Sequence, residues 1–260
     1  MPLKYTGSKR WMTKVLRPIE EVYEPFCGSA VVSFEKSKIC HLNDQLEPLI
    51  AVYKRLQTDK QGFIKELLAE VEGIKAAPNS SAAYYDARAR YNAGGMSDPV
   101  LFCVIVYLGF NGLYRVGPNG CNVPYGGDSR RFNPKGLMEI PMEKVATLSC
   151  GSWDTTEVPN ENCTIYVDPP YATTFTGYTR KGWSQADNVQ LFGWLAERSN
   201  PVLISCLRTD DNEQLLTDLN FDFVSMDKVF SNGAKSVKKG EILAFNDRAV
   251  PHVLFREVRR

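Results

Sequence analysis

Histidine is nearly missing from this chain: His41 and His252 are the only two, and no C-x-x-C pair accompanies them. Zinc centres need such ligands at close spacing, so no metal site is expected. The seven cysteines (Cys27, Cys40, Cys103, Cys121, Cys150, Cys163 and Cys206) are odd in number and scattered. That suits small buried hydrophobes in a reducing compartment, not a disulfide scaffold. A long apolar run is also lacking. The longest, from Val100 to Phe110, is about half of the ~20 residues a membrane span needs. The first residues carry no apolar stretch of signal-peptide type, and a soluble, cytoplasmic protein is the expectation. Charge of one sign is not in surplus either, since 31 basic side chains meet 30 acidic ones for a formal +1. Taken whole, that balance argues against a nucleic-acid partner.

What is present is the composition of an ordinary globular protein. The 260 residues are 43% hydrophobic and 23% charged, enough for one large domain or a core with an insertion. Residues 21–24 are predicted as a short strand, 25–29 as a turn of small residues, 30–37 as a helix and 39–42 as a second strand. Residues 46–56 follow as a helix with Leu49, Ile50, Tyr53 and Leu56 on one face. Residues 60–110 hold three helices, at 62–72, 82–91 and 99–110. Turn residues then dominate from Asn111 to Gly127, with Pro118-Asn119-Gly120 as a hairpin tip. This hairpin offers few apolar positions and is expected to stay outside the core. After Met142 the α/β rhythm returns: a strand at 164–167, a helix at 186–197, a strand at 201–205, a helix at 212–219, and strands at 223–229 and 241–246. Such alternation predicts a doubly wound, mostly parallel α/β sheet. Residues 1–56 and 141–260 would form it, with 57–140 inserted.

Three features fall where strand ends meet loops, the place where open α/β sheets bind ligands. The turn Glu24-Pro25-Phe26-Cys27-Gly28-Ser29-Ala30 lets backbone approach a ligand closely. It could equally be a tight strand–helix connection. Asp44 ends the second strand, where an acid accepts hydrogen bonds from ribose hydroxyls or serves as a helix cap. Asp168-Pro169-Pro170-Tyr171 is the most specific. Two prolines remove two donors and fix two φ angles, leaving a rigid rim with the Asp168 carboxylate and the Pro169 carbonyl as acceptors. Tyr171 adds a flat ring. An exocyclic aromatic amine suits that rim, because its two N–H donors meet two acceptors and its ring stacks on the tyrosine.

At these residues the chain resembles the DNA adenine methylase (Dam) family, N6-adenine-specific methyltransferases of the D12 class. Leu3-Lys4-Tyr5-Thr6-Gly7-Ser8-Lys9 is similar to that family's N-terminal cofactor motif. The turn after Glu24 is similar to its glycine motif, and Leu42-Asn43-Asp44 to its ribose-binding acid. Asn111-Gly112-Leu113-Tyr114-Arg115 and Asn122-Val123-Pro124-Tyr125-Gly126 resemble its target-recognition hairpin. Residues 201–205 and 231–241 resemble later segments. The resemblance implies a Rossmann-like core, S-adenosylmethionine as cofactor and double-stranded DNA as partner, in a monomer or weak dimer in the cytoplasm of a bacterial or phage-infected cell. It implies that Tyr5, Lys9, Phe26, Gly28, Asp44, Trp153 and Asp168 contact the cofactor. Asp168, Pro169, Pro170 and Tyr171 would hold the target adenine. Asn111, Leu113, Arg115, Asn122, Pro124 and Arg130 would face DNA, with GATC as the implied target. Three departures stand out: Ala30 replaces a second glycine, the hairpin between Arg115 and Asn122 is one residue shorter than in well-known members, and Gly127 sits where some members carry a DNA-reading basic residue, with Arg130 and Arg131 close by. An RNA amino-methyltransferase and a silent DNA-binding regulator on the same fold stay open as alternatives. A nicotinamide-dependent oxidoreductase would need G-x-G-x-x-G at the first turn, where this chain reads Gly28-Ser29-Ala30.

Read by segment, the charge changes meaning. Residues 1–18 carry +5, residues 110–135 carry +3 and residues 228–260 carry +5, which leaves −12 for the remainder. The neutral total therefore allows a basic face and an acidic back, and DNA binding that weakens with salt.

Overall fold

The computed structural model describes residues 3, 7–171, 182–232 and 235–254. The chain opens with a 3-10 turn, then β1 (Ile19–Glu24), α1 (Val31–Lys36), β2 (Ser37–Asp44) and α2 (Glu47–Thr58). Next come α3 (Lys60–Ala76), α4 (Ser80–Ala93), α5 (Pro99–Leu108), the two-residue strands β3 (Val116–Gly117) and β4 (Gly120–Cys121), and the short α6 (Lys135–Met138). The sheet resumes with β5 (Val145–Cys150) and β6 (Thr164–Val167), then α7 (Gln185–Ala196), β7 (Val202–Leu207), α8 (Asp210–Asp218), β8 (Asp222–Asn232) and β9 (Lys235–Phe245).

Seven strands form one sheet in the order β5-β2-β1-β6-β7-β9-β8. The first five are parallel, and β9 runs antiparallel between β7 and β8. The expected doubly wound, mostly parallel α/β fold is thus the fold observed. From β1 the chain builds outward through β2 and β5 on one side, and through β6 and β7 on the other. The switch point lies between β1 and β6, where such sheets open a crevice at the carboxyl ends of the strands.

Burial on both faces explains why the strands read as unbroken apolar runs. Alternate residues point to opposite sides. Val22, Tyr166, Leu203, Leu243 and Phe245 join a core shared with α1, α2 and the helices α3–α5. Tyr23, Ile165, Val167, Ile204, Ile242 and Ala244 join a second core against α7 and α8. Helix starts follow side-chain chemistry: Asp59, Asn79, Asp98, Ser184 and Thr209 each accept a backbone N–H of the first turn. Six of the seven cysteines are buried and Cys150 is exposed. Among the described residues no helix is long and apolar enough to cross a membrane.

Two readings of the sequence need correction, and one strand carries no sequence signal. First, the hairpin segment is not outside the core. Tyr114, Cys121 and Val123 are buried, because residues alternate inward and outward and three inward ones are apolar. Second, α5 stops at Leu108 and not at Phe110. A β-carbon on Gly109 would lie 2.3 Å from the Ile105 carbonyl, so only glycine lets the chain turn there. That strand is β5, which has no period-2 signal and is a strand through its ladder with β2.

Candidate active site and nucleic-acid interface

The turn after β1 is wound tightly by two left-handed residues, Gly28 at φ 45° and Ala30 at φ 49°. Ala30 occupies a conformation suited to glycine, at a cost of roughly 1 kcal/mol. Asp44 ties this turn to the end of β2: its Oδ2 accepts from Gly28 N at 3.0 Å and its Oδ1 from Leu46 N at 3.0 Å. Burial raises the Asp44 pKa, while these backbone amides hold it down. A carboxylate has about four acceptor positions, so Asp44 can serve the backbone and still receive ligand hydroxyls. Asn43 is the staple behind it, donating to Pro25 O and to Gly151 O, each at 3.0 Å. It thereby joins the loops that follow β1 and β5. Phe26 meets Trp183 edge-on at 5.4 Å, and Trp153 meets Trp194 edge-on at 5.6 Å.

Glu24, the last residue of β1, is buried and accepts from the backbone and hydroxyl of Ser33 in α1. Burial pushes its carboxyl up to about 8, against the two Ser33 hydrogen bonds that favour the ionised form. Asp168 and Asp44 nearby push in the same direction as burial.

Across the switch point, Asp168-Pro169-Pro170-Tyr171 leaves β6. Lys9 inserts here with only 5% of its side chain exposed, its Nζ 2.9 Å from Asp168 Oδ1 and 3.8 Å from Glu241 Oε1. The same ammonium donates to Gly7 O and stands 4.9 Å from the Tyr171 ring centre. Tyr171 donates its hydroxyl to Glu241 Oε1 at 2.7 Å. Burial favours loss of the Lys9 proton, but Asp168 and Glu241 reverse this and its pKa lies above the ordinary lysine value. Burial, then Asp168 and Glu241, push the Tyr171 phenol up as well, so it stays a donor.

Among the described residues, Lys9 is the cation seated between these two carboxylates. Lys9→Met keeps the apolar stem and removes the charge. Breaking a buried pair from one side costs ~3–5 kcal/mol. Asp168 is 20% exposed and partly screened, so the low end, about 3 kcal/mol, is expected. A clear fall in the urea midpoint would report it, and an unchanged midpoint would show that the ammonium is not what balances these carboxylates.

The remaining expected residues form a separate group on the hairpin. Asn111, Leu113, Arg115, Asn122 and Pro124 are exposed and Arg130 is half-buried. Asn122 holds the Arg115 guanidinium, with Nε 2.6 Å from Oδ1 and a terminal nitrogen 3.3 Å from the Asn122 carbonyl. Arg130 donates to Asn111 Oδ1 at 3.1 Å. The hairpin is braced from behind by α4: Asn92 exchanges two hydrogen bonds with the Cys121 backbone, and Arg88 and Tyr84 donate to Val123 O. Its outward side chains are therefore presented by a stiff support.

The structure thus joins Phe26, Gly28 and Asp44 around one turn, and Lys9, Asp168 and Tyr171 in one cluster. Trp153 lies in the loop after β5 with its ring against Trp194, and Tyr5 lies outside the described residues. Sequence reasoning gave Glu24, Glu241, Trp183 and the exposed Phe110 no role. A signal existed for Glu241, a lone acid heading the apolar run Ile242-Leu243-Ala244-Phe245. The acids Asp44 and Asp168 thus stand at the carboxyl ends of β2 and β6, on either side of the left-handed turn that follows β1.

Comparison with known proteins shows the family. The family model described as D12 class N6 adenine-specific DNA methyltransferase matches residues 5–232. The chain is 30% identical over 219 residues to the retron Ec67 DNA adenine methylase of Escherichia coli, covering 78% of this chain and 75% of that protein. It is 30% identical over 269 residues to the type II methyltransferase M1.LlaDCHI of Lactococcus lactis, covering 92% and 91%. A DNA adenine methylase of Haemophilus influenzae is 27% identical over 269 residues, covering 93% and 92%.

Proposed function

Because the chain belongs to the D12 class of N6 adenine-specific DNA methyltransferases, we propose that it methylates N6 of an adenine flipped out of duplex DNA, with GATC as the target, as a monomer or weak dimer. The observation that carries this reading is the Asp168-to-Tyr171 loop standing across the switch point from the Gly28–Asp44 turn. S-adenosylmethionine, when bound, supplies the methyl group on a positively charged sulfur. Asp44 would take its ribose hydroxyls, Phe26 and Gly28 its methionine end, and Trp153 its adenine. The acidic character of Asp44 and Asp168 favours the charge on that sulfur.

The chain's own residues then prepare the acceptor amine. Its lone pair is delocalised into the adenine ring. Asp168 and the Pro169 carbonyl would each accept one amino hydrogen, favouring a pyramidal nitrogen with a localised pair. Orientation of this kind is worth several of the ~7–11 kcal/mol that positioning can supply. As the C–N bond forms, the methyl group's bond to the donor sulfur would break, leaving a neutral thioether, and the proton lost from the nitrogen would pass to Asp168 or to water. The target must leave the duplex, because an in-stack amino group cannot reach the loop. Stacking on Tyr171 would return about 1–3 kcal/mol of that cost. Residues 57–140 would act as the target-recognition insertion, with Arg115 reading a guanine edge.

The test is methyl incorporation into duplex DNA against RNA, followed by sequencing for N6-methyladenine in cells that express the protein. Duplex labelling at one motif is expected, and labelling confined to RNA would overturn the reading. In the same assay Arg115→Ala should relax discrimination at one position of the motif, by ~1–3 kcal/mol, or roughly 5- to 150-fold. A uniform loss across all sequences would make Arg115 a phosphate contact instead.

A further inference from the structure

We propose that Glu241 is a positioning residue of the methyl-transfer site: from β9 it fixes the Tyr171 ring through its hydroxyl and the Asp168 carboxylate through Lys9. The inference rests on the reading of Asp168 and Tyr171 as the target-base site.

Glu241 pairs with Leu207 at the last rung of the β7–β9 ladder, beside the carboxyl end of β7. It is fully buried. A carboxylate at the head of an apolar strand is costly, and its replacement by an apolar residue of similar size would often be neutral or stabilising. Its geometry gives the reason to keep it. Oε1 accepts the Tyr171 hydroxyl at 2.7 Å and lies 3.8 Å from Lys9 Nζ. That nitrogen is 2.9 Å from Asp168 Oδ1 and 4.9 Å from the Tyr171 ring centre. One oxygen of Glu241 therefore sets two parts of the loop: the plane on which a base would stack, and the cation that holds Asp168 in place. Tyr171 is anchored at its hydroxyl end, opposite its backbone attachment, so the ring cannot swing. An antiparallel strand from the end of the chain thereby becomes part of the site. Displacement of a reacting group by about 1 Å costs on the order of 100-fold in rate.

The test uses the full chain and a duplex oligonucleotide under single-turnover conditions with radiolabelled methyl donor. Glu241→Gln keeps size and an acceptor but loses the charge that holds Lys9, and should slow methyl transfer 10- to 100-fold. Its KM for duplex and its urea midpoint should stay within about threefold and within error. Glu241→Ala, if folded, should be slower still. With Tyr171→Phe as the background, the Glu241→Gln loss should shrink at least threefold, because one of its two routes is already cut. Duplex carrying 2-aminopurine at the target position should show a weaker or altered emission change with Glu241→Gln, since the ring that receives the flipped base is no longer held. Wild-type rates in both Glu241 variants, strictly additive losses with Tyr171→Phe, or a loss confined to KM would overturn the inference. Asp168→Ala in parallel separates the two ideas. If it is inactive while the Glu241 variants are normal, only the positioning role fails. If it is active, the underlying reading fails.

Discussion

Asp168→Ala is expected to lower methyl transfer by about three orders of magnitude while duplex binding stays within a few-fold of wild type. Removal of one preorganised polar group that contacts the reacting atoms costs about 100- to 1,000-fold. Asp168 would combine that role with holding the amine in line, which places it at the upper end. Binding should survive because the exposed hairpin residues Asn111, Arg115 and Asn122 belong to a different group, braced by α4. Folding should survive as well, since Lys9 keeps Glu241 as a partner. Asp168→Asn retains one acceptor oxygen and loses the charge, so an intermediate rate is expected. Gel-shift titration beside single-turnover labelling separates binding from chemistry. Turnover near wild type in Asp168→Ala would end the proposed mechanism.

The second large effect is on stability and concerns Glu24. Its carboxyl is pushed to about 8 by burial, from an ordinary value of 4.5. Between those values the folded chain holds a proton that the unfolded chain has released. The folded state thus binds more protons, and stability must fall as pH rises. The contribution is complete below pH 4.5 and is lost as pH passes through about 8. At roughly 1.4 kcal/mol per pH unit, the loss over that window is on the order of 5 kcal/mol. Glu24→Gln imitates the neutral acid, keeps an acceptor for Ser33 and cannot titrate. Urea unfolding at pH 5 through 9 should therefore show wild type losing stability relative to Glu24→Gln as pH rises. Parallel curves for the two proteins would mean that Glu24 is ionised in the fold throughout.

These expectations rest on unequal amounts of sequence information. Asp168-Pro169-Pro170-Tyr171 was legible because its shape is local: two prolines and a preceding apolar strand fix the rim whatever else the chain does. The Gly28 turn and Asp44 were legible for the same reason, with Asp44 in a dual role that spacing alone left open between backbone cap and ligand acceptor. Tyr114, Cys121 and Val123 were not read as core. Their burial depends on α4 offering Tyr84, Arg88 and Asn92 to the hairpin. β5 was invisible because an edge strand with mixed burial takes its conformation from its neighbour.

By itself the sequence determined the alternation of strands and helices, the loops at the strand ends and the resemblance that their residues carry. All of these are set within a few residues by side-chain shape, φ restriction and hydrophobic period. Only the tertiary structure decided that Lys9 from the start of the chain, Asp168 from its middle and Glu241 from its end share one buried cluster. That arrangement depends on β9 inserting antiparallel between β7 and β8. Strand order is chosen by the burial of whole faces and the pairing of distant backbones. No local pattern records it, and the charges it brings together decide how the Asp168 loop is held.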